Sequence, residues 1–300
     1  MRIVFLGTPP EAALALRALH ESGHDVALVV TQPDRRRGRG ADAAGTPVKE
    51  TAEDLGLAVK TPERSLEVVD DLRSSGAELG VVVAFGQLLP PEVLDALPGG
   101  YVNVHYSLLP RWRGAAPVER AILAGDQETG VCLMQLEEGL DTGPIYAVKK
   151  VAIGDDETAG ELRARLAEIG ARLLIDELER IPGTEPRPQE GEESYAKKLT
   201  PEEFHLDWGQ PAEDVARRIR AGNPHPGAWT TSEGRRLKIL RAHAAGEAPQ
   251  GSAPGDLLHA PLVATGDAVI VLDEVQSEGK RPLSGEEWYR GLRDVHRLGD

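Results

Sequence analysis

Asn103 and His105 stand two positions apart at the end of the apolar stretch Tyr101-Val102-Asn103-Val104-His105, and an acidic turn, Leu140-Asp141-Thr142-Gly143, follows later in the chain. Side chains alternate faces along a strand, so the amide of Asn103 and the imidazole of His105 point the same way. In an open α/β sheet, ligands bind beyond the carboxyl ends of the strands, which is where this pair sits. An amide donor beside an imidazole suits an oxygen that is acquiring negative charge. The imidazole can also exchange a proton near neutral pH. A carboxylate close to an imidazole favours its protonated form. If Asp141 approaches His105, a cationic ring would stabilise an oxyanion and could give a proton to a leaving group.

Plainer readings of the same residues stay open. An Asn-x-His at a strand end is also ordinary structure, and Asp before Thr-Gly is common turn chemistry. Asp-Thr-Gly also matches the triplet of aspartic proteases, but the chain has no second Asp-Thr/Ser-Gly to complete a carboxylate pair. Ser107 beside His105 suggests a nucleophile, yet no Gly-x-Ser-x-Gly elbow surrounds it.

The elements that must carry these residues follow from the hydrophobic pattern. Residues 2–6 are an apolar run ending at Gly7-Thr8-Pro9-Pro10. A helix is expected next, with Ala12, Ala13, Leu16 and Leu19 on its buried side and Gly23 as its stop. Strands are expected at 25–30, 79–85 and 101–105, with helical stretches between them, which implies a parallel sheet covered on both faces. The turn at Gly7 has one glycine where a dinucleotide fingerprint needs three, so it is a poor nucleotide site. Residues 32–47 read as a long polar loop, and loops of that length are usually functional or disordered. A long helix is expected over 158–179, then a Pro-, Gly- and Glu-rich stretch from Ile181 to Glu193 that reads as a linker. Beyond it a short helix over 212–220 and β-like segments at 228–232, 236–242, 262–265 and 268–274 suggest a small barrel.

Bulk composition narrows the function classes. Aromatics are only 4% of 300 residues, so the core rests on Val, Leu, Ile and Ala. A formal net charge of −15 argues against broad binding to nucleic acid or anionic membrane. Charge is uneven, however. Residues 31–49 carry five positive against two negative side chains, and residues 215–241 carry six Arg and one Lys against one Glu. The single cysteine, Cys132, excludes an internal disulfide. The first residues read as a buried strand and not a signal peptide, and no apolar run approaches the ~20 residues of a membrane span. A cytoplasmic location without membrane contact is expected. No Cys/His cluster offers a zinc site, so chemistry without a metal is expected.

The run Asn103-Val104-His105-Tyr106-Ser107-Leu108-Leu109-Pro110-Arg111-Trp112-Arg113-Gly114-Ala115-Ala116-Pro117, together with Leu140-Asp141-Thr142-Gly143, resembles the folate-dependent formyltransferase family. Matching segments extend over nearly the whole chain: Phe5-Leu6-Gly7-Thr8-Pro9, Gly38-Arg39-Gly40, Val83-Ala84-Phe85-Gly86, Tyr195-Ala196-Lys197-Lys198-Leu199 and Ile219-Arg220-Ala221-Gly222-Asn223-Pro224. The resemblance thins after about residue 240.

That resemblance implies an α/β Rossmann-like, mostly parallel sheet flanked by helices, with a smaller C-terminal OB-like β-barrel. The implied domains are a catalytic one over 1–189, a linker over 190–207 and a tRNA-holding one over 208–300. Asn103, His105 and Asp141 fall on the family's catalytic trio. The donor would be 10-formyltetrahydrofolate, in a pocket lined by Phe85, Gly86, Gln87, Leu88, Ser107, Leu108, Leu109, Pro110, Leu136, Gly139 and Leu140. The acceptor would be the α-amino group of methionine esterified to initiator tRNA, with Arg39, Lys49, Arg217, Arg218 and Arg220 as contacts to the nucleic acid. A monomer is expected. Two departures stand out. Tyr106 replaces the Gly or Pro of many relatives, and Ala41-Asp42-Ala43-Ala44 replaces their lysines. A formyltransferase acting on a small amine, or a folate-binding module without catalysis, are the competing readings. The basic second domain speaks against the first and the intact trio against the second.

Overall fold

Ile3, Val4, Phe5 and Leu6 are fully buried, and this apolar run is an inner strand, β1 (Arg2–Gly7), of a seven-stranded sheet. The computed structural model describes residues 1–36, 43–292 and 295–299. The chain forms two units, the first comprising Met1–Gly114, Glu128–Val151 and Arg163–Tyr195, the second Ala115–Gln127, Ala152–Leu162 and Ala196–Asp300.

In the first unit β1 leads through helix α1 (Pro10–Glu21) to β2 (Asp25–Val30). Helix α2 (Pro47–Asp54), β3 (Val59–Lys60), helix α3 (Val69–Ser74), β4 (Leu79–Val83) and β5 (Tyr101–His105) follow. After helix α4 (Pro117–Ala124), which belongs to the second unit, come β6 (Glu128–Gln135), β7 (Ile145–Ala152) and the 20-residue helix α5 (Ala159–Leu178), which belongs to the first unit from Arg163 on. The sheet order is β7-β6-β5-β4-β1-β2-β3. Strands β3, β2, β1, β4 and β5 run parallel, and β6 pairs antiparallel with β5. Every residue of β4 and β5 is buried, as expected of parallel strands covered on both faces.

Local packing explains several boundaries. At Gly7 a Cβ would stand 2.7 Å from Ala12 Cβ and 3.0 Å from the Val83 carbonyl oxygen, so the glycine lets α1 lie hard against β1 and β4. It serves helix packing and not a phosphate. Helix α1 buries Ala12, Ala15, Leu16 and Leu19; Ala15 takes the place expected of Ala13, which is only partly buried. The helix ends at Glu21, and Gly23 follows at φ 84. Strand β4 stops at Val83, earlier than the expected Phe85, because Ala84 (φ 45) and Gly86 (φ 82) turn the backbone into the left-handed region. In the expected loop, Pro47 starts α2 behind Thr46, whose hydroxyl accepts the Lys49 N–H at 3.1 Å. Tyr106 is a core residue. It is buried, and Gly170 of α5 leaves space for its ring: a Cβ there would stand 3.3 Å from Tyr106 Cε1 and 2.9 Å from Val104 Cγ1.

The second unit carries helix α6 (Ala212–Gly222) and strands β8 (Ala228–Ser232), β9 (Arg235–Ala245), β10 (Leu262–Ala264), β11 (Val269–Ser277) and β12 (Leu283–Ser284). Their order is β8-β9-β11-β10, with β12 on β11, all antiparallel. The register slips around Arg241, and such irregularities bend a strand. The result is a curled, half-barrel sheet. In the same unit, the Thr158 N–H and hydroxyl donate to Glu161 Oε2 at 2.9 and 2.8 Å, and the Glu161 N–H returns to Thr158 Oγ1 at 3.3 Å. This capping box starts α5. Arg241 binds the other carboxylate oxygen.

Two outcomes follow. Gly7→Ala should lower stability by about 1–3 kcal/mol, because backbone and a helix Cβ cannot yield; the urea midpoint should fall with the slope unchanged. The Thr158 hydrogen bonds and Arg241 push the Glu161 carboxyl down to about 2 from 4.5. A depressed carboxylate stabilises fully above its unfolded value and loses that contribution as pH falls through the folded one. The melting temperature of Glu161→Gln should therefore lie below that of the parent at neutral pH, and the gap should close between pH 4.5 and about 2.

Candidate active site

Strand β5 presents Asn103 and His105 on one face, while Val104 on the other packs toward Gly170 of α5. Asn103 lies between Val82 of β4 and Met134 of β6, and His105 opposite Cys132. Asn103 is only 9% exposed, and among the described residues no hydrogen bond engages its amide, which is not sealed from solvent. An amide not committed to the protein can bind a ligand oxygen.

His105 is oriented by backbone. Its Nε2 is 3.0 Å from the Trp112 carbonyl oxygen. A carbonyl only accepts, so Nε2 carries the hydrogen and Nδ1 is left free. Trp112 holds a left-handed φ of 61, which aims that carbonyl, and its N–H is donated to Ser194 Oγ at 3.0 Å. Asp141 Oδ2 stands 3.7 Å from His105 Nδ1, an ion-pair distance too long for a hydrogen bond. The same oxygen accepts the Gly114 N–H at 2.7 Å. Asp141 itself has φ 51. Gly143 permits the tight turn, since a Cβ there would lie 2.0 Å from the Gln135 carbonyl oxygen. Asn103, His105 and Asp141 thus converge on one strand end.

The residues expected to line a pterin pocket divide into two groups. Phe85 is buried, and its carbonyl accepts Thr8 Oγ1 at 2.8 Å and Gln32 Nε2 at 3.1 Å. Gly86 follows it at φ 82. Gln87 gives its amide to the Pro62 carbonyl at 3.1 Å. Leu109, Pro110 and Ser107 are buried, and the Ser107 hydroxyl gives its hydrogen to the Arg111 carbonyl at 2.6 Å. Leu108 sits against Gly130. Leu136 packs on the core, and Gly139 lies under Thr142. By contrast, Leu88 is 81% and Leu140 50% exposed. Apolar side chains this open, on the loops that follow β4 and β6, suit a flat aromatic ligand that would cover them.

The candidate nucleic-acid contacts scatter. Arg39 lies outside the described residues. Lys49 Nζ is 2.6 Å from Asp34 Oδ2. Arg217 pairs with Asp214 at 2.7 Å, and Arg220 donates to the carbonyls of Gly154 and Glu157. Both line a cavity of about 430 Å³ in the second unit, whose other charged walls are Asp126, Asp155, Asp156 and Glu213. Carboxylates outnumber guanidiniums there, which makes it a poor phosphate cradle. Arg218, half-buried on α6, does not line that cavity, and its charge helps to lower the Asp207 carboxyl. Arg236 stacks over the Trp229 ring at 4.2 Å, a pairing the charge count alone did not suggest.

Sequence reasoning missed the groups that hold the trio: the Trp112 carbonyl, the Gly114 N–H and Gln189. Two of these are backbone atoms, which no residue type advertises. Gln189 lay in a stretch whose composition reads as a linker.

The formyl transferase family model matches residues 1–178, and the model of the formyl transferase C-terminal domain matches residues 198–293. A methionyl-tRNA formyltransferase of Cereibacter sphaeroides is 47% identical over 295 residues, covering 97% of this chain and 96% of the relative. One of Symbiobacterium thermophilum is 46% identical, covering 97% and 92%. Among solved structures, a methionyl-tRNA formyltransferase from Clostridium thermocellum has the same fold at a TM-score of 0.62 and 19% identity, covering 92% of this chain and 98% of that one. Two domain models placed in tandem, with relatives near half identity along almost the entire length, establish that this chain belongs to the formyl transferase family.

Proposed function

We propose that the chain transfers the formyl group of 10-formyltetrahydrofolate to the α-amino group of initiator methionyl-tRNA, giving N-formylmethionyl-tRNA for translation initiation. The observation that carries this reading is the Asn103 amide, nearly buried and unpartnered beside an imidazole that has a carboxylate 3.7 Å away. The relatives named as methionyl-tRNA formyltransferases supply the substrates.

The donor supplies an activated formyl carbon. The Asn103 amide binds its carbonyl oxygen, joined by the His105 Nδ1–H when the ring is protonated, and stabilises it as the amine attacks and the oxygen becomes negative. One C–N bond forms to the methionine nitrogen, and the C–N bond to the folate breaks. The amine loses a proton and the departing folate nitrogen gains one. With the Nε2 hydrogen committed to the Trp112 carbonyl, Nδ1 of His105 is the ring atom available for that exchange. Asp141 Oδ2 faces it across a gap that a water or the reacting nitrogen can bridge. Exposed Leu88 and Leu140 are the apolar cover for the pterin. Residues 1–189 would carry the chemistry and 208–300 hold the tRNA, joined by 190–207. We place the enzyme in the cytoplasm as a monomer. Among the described residues no helix is long and apolar enough to cross a membrane.

Asn103→Ala should lose about 10²–10³ in kcat with little change in KM for the donor, measured with labelled formyl donor and Met-tRNA. Near-normal turnover would remove Asn103 from the trio. Label appearing on an amino sugar or purine precursor, and not on Met-tRNA, would reassign the acceptor. Arg218→Ala should weaken tRNA binding and reduce the slope of log affinity against log salt by about one, with kcat at saturation unchanged.

A further inference from the structure

Gln189 is half-buried in a stretch where Arg187, Pro188 and Glu190 are exposed, so this one side chain turns inward. Its amide nitrogen donates to two carbonyls of the catalytic turn, Asp141 and Gly143, both at 2.8 Å. Its amide oxygen accepts Arg113 Nε at 3.1 Å and Nη2 at 2.8 Å. Arg113 is buried and its third contact is Glu193, so each of its three guanidinium nitrogens is engaged. The residue after Arg113 is Gly114, whose N–H holds the Asp141 carboxylate at 2.7 Å. One side chain therefore grips the backbone of Asp141 with its nitrogen, and with its oxygen grips the neighbour of the group that fixes the Asp141 carboxylate.

Asp141 needs such a grip. Its φ of 51 lies in the left-handed region, which Asp tolerates better than most L-residues but still at a cost. The carboxylate must stay beside His105 Nδ1 without collapsing onto it. We propose that Gln189 is a positioning residue for the transfer reaction, setting the distance between the Asp141 carboxylate and His105 by bracing the turn from behind. It touches neither the substrates nor the reacting atoms. This inference rests on the reading of Asp141 as a member of the trio.

The test compares Gln189→Leu, Asp141→Asn and the double variant in formyl transfer to Met-tRNA. Gln189→Leu is expected to lower kcat about 10- to 100-fold, the cost of small misplacement, with both KM values within about 3-fold of the parent. In the Asp141→Asn background the same change should cost less than about 3-fold, because the group it acts through is already gone. Normal kcat in Gln189→Leu, or its full loss repeated on top of Asp141→Asn, overturns the proposal. Normal turnover in Asp141→Asn alone overturns instead the reading beneath it, so the two failures are distinct. If Gln189→Leu fails to fold, Gln189→Glu takes its place. It keeps an oxygen for Arg113 and loses the donor to the turn, so it must show the same kcat loss and the same non-additivity.

Discussion

The hydrogen bond from the Gly114 N–H to the Asp141 carboxylate, 2.7 Å long, is the fixed point of the site. A carboxylate free to move would close on His105 as a tight ion pair and satisfy both groups without a substrate. Tied to backbone on one side, it stands 3.7 Å from the ring, near enough to act on it and too far to consume it. The ring is held in the same way, by the Trp112 carbonyl only two residues before Gly114. Both partners are thus referenced to one short piece of chain, residues 112–114. That piece is in turn bonded to Ser194, through the N–H groups of Trp112 and Arg113.

The sheet underneath explains why this arrangement can be rigid. Strand β5 is buried throughout and flanked by β4 and β6, so Asn103 and His105 project from a frame with no freedom to twist. The turn bearing Asp141 has no such frame. It connects β6 to β7, and its conformation depends on Gly139, Gly143 and side chains far away in sequence.

That difference sets what could be read from the sequence. The strand tip was legible because alternation along β5 decides facing, and apolar runs located β1, β2 and β4. Strands β6 and β7 were not anticipated. Glu128 and Gly130, both poor strand formers, lie at the start of β6, and Lys149-Lys150 interrupts β7, an edge strand with much of its length exposed. Contacts such as Gln189 to Asp141 span 48 positions and involve carbonyls, so no periodicity reports them. Charge counting had a similar limit. The basic run over 215–241 is partly cancelled in three dimensions, where Arg217 meets Asp214 and Arg241 meets Glu161. The exposed Leu88 and Leu140 became meaningful only once their loops were placed.

Cys132 lies across from His105 on β6 and is fully buried, its S–H directed at the Ser107 carbonyl at 3.1 Å. Burial pushes its thiol up to about 11, so the reactive thiolate is scarce at neutral pH. The chain therefore carries a silent native sulfur. A cysteine introduced on the surface would be the one position to accept a maleimide dye or a spin label, and the wild-type background needs no prior cysteine removal beside the reaction centre.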